Sequence, residues 1–200
     1  MKKKIILFTG MALLAIAYKA RTQPSETLTD FNKRQQHTTK AGMLTLGGWA
    51  VGNFIVSGLS LNRSDGSRYY FHQMNLLWNA VNVTLAGIGY YRATQTEVAS
   101  MSLVKTVKSH HSLRRILLFN AGLDVAYVVG GLYLLEKAKA EPERGDRWRG
   151  YGQSVLLQGA FLLAFDSVLY WVVQSQADSL DSIIGKLSVS NQGVGFIHRF

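Results

Sequence analysis

The sequence of 200 residues contains no cysteine. This excludes disulfide bonds, thiolate metal sites, a catalytic cysteine and a lipid-modified N-terminal cysteine. A chain without cysteine is compatible with an oxidising or a reducing environment, so the compartment stays open.

Familiar catalytic motifs are also missing. The sequence has no phosphate-binding glycine loop, no HExxH pattern and no nucleophile elbow. Its five histidines fall at the ends of apolar segments, in connections or in the tail, so no pair can hold a haem between helices; they are His37, His72, His110, His111 and His198. His110-His111 could bind a metal, but solvated histidines in loops are far commoner. We therefore expect no metal and no cofactor.

Charged residues make up only 17% of the chain and are concentrated in a few connecting stretches, whereas 48% of the residues are apolar. The formal net charge is +10. Basic residues scattered over several short loops suit anionic lipid headgroups better than nucleic acid, which favours a basic patch on one face. We therefore expect a bilayer with anionic lipids as the partner, and no nucleic acid.

Residues 1–17 have the pattern of a signal peptide. Three lysines precede an apolar stretch from Ile5 to Ala17, and Ala15-Ile16-Ala17 supplies the small residues of a cleavage site. The stretch is shorter than the roughly 20 residues that span a bilayer. An uncleaved anchor is the alternative, because Lys19 and Arg21 follow the proposed cleavage site unusually closely.

Four long apolar windows follow, and ionisable residues are rare in them: 43–61, 69–91, 113–135 and 150–173. Their lengths match a transmembrane helix, and aromatic residues gather near their ends as at a membrane interface. The helices of a soluble bundle would carry a charged outer stripe, which these windows lack. The windows therefore predict a transmembrane domain over residues 42–176.

A weak internal repeat relates the two halves of this domain. Residues 44–61 match 117–134 at a shift of 73, and residues 73–91 match 153–171 at a shift of 80. We therefore predict an all-α membrane protein whose four transmembrane helices form a bundle of two tandem helical hairpins.

Three polar segments surround these windows. Residues 18–41 and 94–112 are amphipathic, and they fit either interfacial helices or solvated extensions of the helices that follow. The tail, residues 177–200, is predicted to contain a short β-hairpin with strands at Lys186–Val189 and Val194–Phe200. Orientation stays open, because a cleaved signal puts the mature N-terminus outside, whereas the positive-inside rule prefers the opposite.

Polar residues lie near the middle of the windows and form the candidate site. Their spacings of three and four residues place several of them on common helix faces; they are Asn53, Asn75, Asn79, Asn82, Asn120, Asp124, Gln158 and Asp166. An aspartate at the bilayer centre is costly and needs a partner or a proton. The cluster is either a binding site for a proton, cation or small solute, or a set of interhelical hydrogen bonds.

Three functions are compatible with this pattern. The first is a structural or accessory subunit of a membrane complex, with a membrane protein partner or a homo-oligomer. The second is a small transporter or channel-like protein. The third is an intramembrane aspartyl enzyme that uses Asp124 and Asp166 as a pair sharing one proton. The motifs of that enzyme class match only faintly, so we expect no enzymatic activity.

One resemblance extends over most of the chain. The stretch His37–Leu44, which leads into Gly47–Asn53, and the C-terminal Gly193–Phe196 near Arg199-Phe200 resemble a group of small, uncharacterised membrane proteins from the Bacteroidota. The resemblance implies a multi-pass protein of a bacterial inner membrane. It implies no activity and no functional residues.

Overall fold

Five α-helices make up the part of the chain that the structure, a computed structural model, describes: residues 27–190, with side chains to residue 185. The helices are α1 Leu28–Leu61, α2 Gly66–Gln95, α3 Leu103–Ala140, α4 Gly145–Gln174 and α5 Ala177–Ser190. Short 3₁₀ turns, Val98–Ser100 and Pro142–Arg144, precede α3 and α4. The all-α prediction is confirmed for these residues. The predicted signal peptide, 1–17, lies outside them.

Local sequence signals set the ends of the long helices. The Thr27 hydroxyl accepts a hydrogen bond from the backbone N–H of Asp30, and the Ser102 hydroxyl accepts one from Lys105. Both satisfy N–H groups that have no partner within the helix. Gly66 begins α2 with a φ of 51°, a conformation that favours glycine. The turn between α1 and α2 is therefore short, and it makes these helices antiparallel neighbours.

The four long helices form two helical hairpins in tandem, with α4 in the middle. Helix α4 packs against α3 along its length and also against α2 and α1. Glycines permit the closest approach: a Cβ at Gly131 would lie 2.7 Å from the backbone nitrogen of Leu156. Gly150 lies in the same way against the backbone of Ser67 and Phe71. Accordingly, α4 is the most buried of the apolar segments. In the most apolar 18-residue window between Pro142 and Gly185, 44% of the residues are buried, whereas the corresponding windows of α1 and α3 are each 17% buried.

The outward surface of these helices is apolar. Large side chains on it stay exposed, such as Leu59 on α1, Leu77 on α2 and Phe119 on α3. A soluble monomer rarely exposes such continuous apolar surface, whereas lipid covers it without cost. Three helical segments are long and apolar enough to cross a membrane: Leu28–Leu61, Leu103–Ala140 and Pro142–Gly185.

Helix α2 is not among these three segments, although the sequence predicts a span at 69–91. At 30 residues it is long enough. Its hydropathy is lowered by a polar face that contains Asn75, Asn79 and Asn82, all of which are buried. These side chains face α1, α4 and a cleft between α2 and α3.

Gly48 and Gly52 on α1, and Gly122, Ala126 and Gly130 on α3, have the spacing of four residues that predicts close packing of these two helices, but the structure shows no such packing at the four glycines. A Cβ at any of the four glycines would have no atom of another residue within 4 Å. The two helices touch mainly near their N-terminal ends. Because α4 lies between α3 and the α1–α2 hairpin, the glycines closest to the backbone of another helix are those at the contacts of α4 with α3 and with α2.

The amphipathic segments before the two hairpins continue directly into α1 and α3, and their N-terminal parts pack together. Asn32 accepts a hydrogen bond of 2.8 Å from the Thr106 hydroxyl, and Gln35 donates one of 3.2 Å to Ser109. His110 lies buried beside Phe31, outside the apolar window 113–135. Burial lowers the pKa of His110 to about 4, and the positive charge of nearby Arg114 is the second cause. These segments form a packed unit at one end of the molecule.

The predicted C-terminal β-hairpin was wrong. Its first strand, Lys186–Val189, lies inside α5, and its second, Val194–Phe200, lies outside the described residues. Leu180 and Ile183 of α5 are buried against Phe31 at a spacing of three residues. A spacing of three residues is typical of a helix, and contact with α1 stabilises α5 in that form. The segment alone is too short for its apolar residues to show a helical or a strand period.

Candidate functional site

The eight polar residues that the sequence singles out separate into two neighbouring groups. The amide layer consists of Asn53, Asn75, Asn79 and Gln158 and joins α1, α2 and α4. The carboxyl layer consists of Asn82, Asn120, Asp124 and Asp166 and lines a cleft between α2 and α3. The sequence could not separate the layers, because helix faces do not reveal which helices are neighbours.

Asn75 is the centre of the amide layer. Its Nδ2 donates to the Ser57 hydroxyl at 2.8 Å and to Asn53 Oδ1 at 3.2 Å. Its Oδ1 accepts hydrogen bonds from Gln158 Nε2 and from Asn79 Nδ2. One side chain thus connects three helices.

Trp49 extends this layer towards the core. Its ring nitrogen donates to Gln158 Oε1 at 3.0 Å, and its ring stacks on Phe161 with centroids 4.0 Å apart. Both ends of the Gln158 amide are therefore satisfied, one by α1 and one by α2. The amide layer fits the hypothesis of interhelical hydrogen bonds, because its members bond mostly to each other and leave little to a ligand.

The carboxyl layer leaves more buried atoms unpaired than the amide layer, in which one atom, Asn79 Oδ1, lacks a partner within the described residues. Asp124 and Asp166 are 3% and 5% exposed, and their carboxyl groups lie close enough to interact directly. Asn120 approaches Asp166. Within the described residues, Asp124 Oδ2 and Asn82 Nδ2 are buried without a hydrogen-bond partner.

Two carboxyl groups side by side in an apolar environment are not both ionised, so the pair holds at least one proton. The layer can therefore donate and accept hydrogen bonds. The sequence-based pairing of these two aspartates agrees with their positions. No three histidine, aspartate or glutamate side chains among residues 27–185 gather as a metal site would require.

The cleft in front of the carboxyl layer has a volume of about 590 Å³ and is lined mainly by apolar side chains. Helices α2 and α3 form its walls, and residues of α1 and α4 form its base. Along α3 it extends from Leu113 to Tyr127, which is about 21 Å at the rise of an α-helix. At the deep end, the rings of Trp78 and Tyr127 meet edge to face, with centroids 4.8 Å apart.

Trp78 is a site residue that sequence reasoning missed. It lies in the middle of the second apolar window, where a tryptophan is unusual because these residues prefer the membrane interface. This unusual position was the one feature of the sequence that could have pointed to Trp78. The partner ring, from another hairpin, could not have been inferred from spacing.

Comparison with known proteins identifies a family but no activity. Residues 45–167 match the model of a family of unknown function, DUF6992. The match includes both layers and Gly47–Asn53, but neither His37–Leu44 nor the C-terminal residues of the resemblance. No curated protein and no solved structure is significantly similar to the chain. Because the model matches more than half of its residues, the chain belongs to this uncharacterised family, DUF6992.

Proposed function

We propose that the protein is a multi-pass integral membrane protein that binds a lipophilic ligand in the cleft between α2 and α3. One observation carries the proposal: a large apolar cleft has four polar residues on its deep wall, two of them with unpaired buried atoms. Such a combination is the usual form of a small-molecule site. The ligand is mainly apolar, and the carboxyl layer adds affinity for a ligand that also carries a hydrogen-bonding group, such as a hydroxyl, inside the cleft.

The membrane setting of this proposal rests on the apolar exterior. All four long helices cross the bilayer, with α2 shielded on its polar face by α1 and α4. The bacterial inner membrane and the internal repeat belong to the same proposal. Leu77 and Ile116, which line the cleft from α2 and α3, are exposed on the apolar exterior, so the cleft opens there and a ligand reaches it from the lipid.

Filling the cleft tests the proposal. Leu123→Trp adds a ring to the cleft wall, and Leu118→Trp is the matched control because Leu118 is 60% exposed on the same helix and does not line the cleft. We expect Leu123→Trp to lower the binding of a fluorescent fatty alcohol by at least about fivefold, because the ring takes the volume of the ligand. Equal binding by both variants would refute the proposal.

The carboxyl layer supplies the selectivity. The wild type should bind the fatty alcohol more tightly than the matching hydrocarbon, because the hydroxyl satisfies atoms that otherwise stay unpaired. Replacing both aspartates, in Asp124→Leu/Asp166→Leu, should abolish this preference but leave the binding of the hydrocarbon intact. If the double variant still prefers the alcohol, the selectivity comes from other residues and not from the carboxyl layer.

An accessory subunit of a membrane complex is the second candidate function. The small residues on α1 and α3 that face outward favour it, since small residues allow close helix–helix contact in membranes. Gly52→Leu should then reduce self-association or co-purification of a partner in mild detergent. Val51→Leu is the control, because Val51 is a large exposed residue beside it. Unchanged association in Gly52→Leu would remove the support for this candidate.

A further inference from the structure

A second cavity, of about 510 Å³, lies at the end of the molecule where α3 begins. We call it the basic vestibule. It is bordered by the N-terminal part of α1, the C-terminal end of α2 and the first turns of α3. The side chains that define it here are Arg92, Lys105, Lys108, Gln36, Ser109 and Ser112.

The charged side chains that line the vestibule have one sign. Lys105 and Lys108 are three residues apart and so share a face of α3, and Arg92 lines the same cavity from α2. All three are exposed. Among the described residues that line the vestibule there is no aspartate or glutamate. Three cations around a polar cavity without a carboxylate favour an anionic occupant.

The vestibule and the cleft are adjacent, because Thr39, Leu113 and Ile116 line both cavities. A single elongated molecule that passes these three residues would occupy both. Arg92 directly follows the apolar window 69–91, and Ser112 directly precedes the window 113–135. The vestibule therefore lies at the depth of lipid headgroups.

The length of the combined site also suits a lipid. One leaflet contributes about 15 Å, half of the hydrocarbon core of about 30 Å. The cleft extends about 21 Å along α3 from Leu113, so it can hold the full depth of one leaflet.

We infer that the ligand is an anionic phospholipid, with its phosphate headgroup in the basic vestibule and an acyl chain in the cleft. The inference rests on the proposed function, because it needs the cleft to be a binding site. The vestibule adds the chemical class of the headgroup. Arg92, Lys105 and Lys108 bind the phosphate, while the hydroxyls of Ser109 and Ser112 offer hydrogen bonds to it and to neighbouring oxygens.

Native mass spectrometry of the full chain in mild detergent tests this inference. The protein is given equal amounts of phosphatidylglycerol and phosphatidylcholine with identical acyl chains. The test variant is Arg92→Gln/Lys105→Gln/Lys108→Gln. The matched control is Arg63→Gln/Arg144→Gln/Arg149→Gln, which removes the same charge from exposed positions at the opposite end. Leu123→Trp reports on the cleft itself.

We expect the wild type and the matched control to retain phosphatidylglycerol about tenfold or more over phosphatidylcholine, since each basic residue near an anionic headgroup contributes to binding. The vestibule variant should retain both lipids equally, and Leu123→Trp should lose both. A preference that the vestibule variant keeps, or that the matched control also loses, would overturn the inference. Displacement of the lipid by inorganic phosphate alone would overturn it too, because a free anion would then be the ligand.

The failures are distinguishable. If the wild type retains both lipids equally and Leu123→Trp still loses both, the headgroup assignment is wrong and the proposed cleft stands. If Leu123→Trp retains as much lipid as the wild type, the proposed function itself fails.

Discussion

Replacing Asn75 with leucine removes the side chain that joins α1, α2 and α4. Asn75 is 2% exposed, and leucine is of comparable size, so the change deletes hydrogen bonds more than volume. Three of its bonds cross between helices, to Ser57, Asn53 and Gln158.

The expected loss follows from these contacts. An interhelical hydrogen bond in a membrane contributes on average about 0.6 kcal/mol, so the three together contribute about 2 kcal/mol. The variant also leaves Gln158 Nε2 buried without an acceptor, which costs about 1–3 kcal/mol. We therefore expect the free energy of unfolding to fall by about 3–5 kcal/mol.

Reversible unfolding in mixed micelles with increasing SDS measures this free energy. Asn82→Leu is the matched control, because Asn82 lies on the same helix and is 4% exposed, but its Nδ2 has no partner within the described residues. We expect it to lose less than about 1 kcal/mol, since no bond from that nitrogen is broken. If Asn75→Leu loses no more than Asn82→Leu, the amide layer does not hold the helices together.

Three more predictions address packing, topology and pH. Gly131→Leu should destabilise the protein because its Cβ would meet the backbone of Leu156, whereas Gly130→Leu should not; thermal unfolding in detergent compares them. An impermeant thiol reagent should label Asp65→Cys and Glu143→Cys from one side of the membrane and Lys105→Cys from the other; labelling of Asp65→Cys and Lys105→Cys from the same side would refute a crossing by α2. The wild type should lose stability as pH falls from about 6.5 towards about 4, because His110 in the unfolded chain takes up a proton that folded His110, with its lowered pKa, does not. His110→Leu should reduce this dependence of the free energy of unfolding on pH, which unfolding at a series of pH values measures. An equal pH dependence in the wild type and the variant would show that His110 is not responsible.

The sequence sufficed to predict the helices and their apolar character. Long apolar windows with few charged residues favour a helix, because a backbone in an apolar environment must satisfy its hydrogen bonds within the segment. The spacing of Asn75, Asn79 and Asn82 also placed them correctly on one face. The tail was misjudged because a short apolar segment has no clear period until a neighbour, here Phe31, selects one.

What the sequence by itself determined is therefore which residues avoid water and which polar residues accompany them into the apolar region. The tertiary structure decided the rest, because helix neighbours depend on packing between segments distant in the chain. It placed α4 between α3 and the α1–α2 hairpin, turned Gly48 and Gly122 outward and divided eight polar residues into a bonded layer and a cleft wall. It also brought Arg92 beside Lys105 and Lys108, a juxtaposition that no periodicity contains.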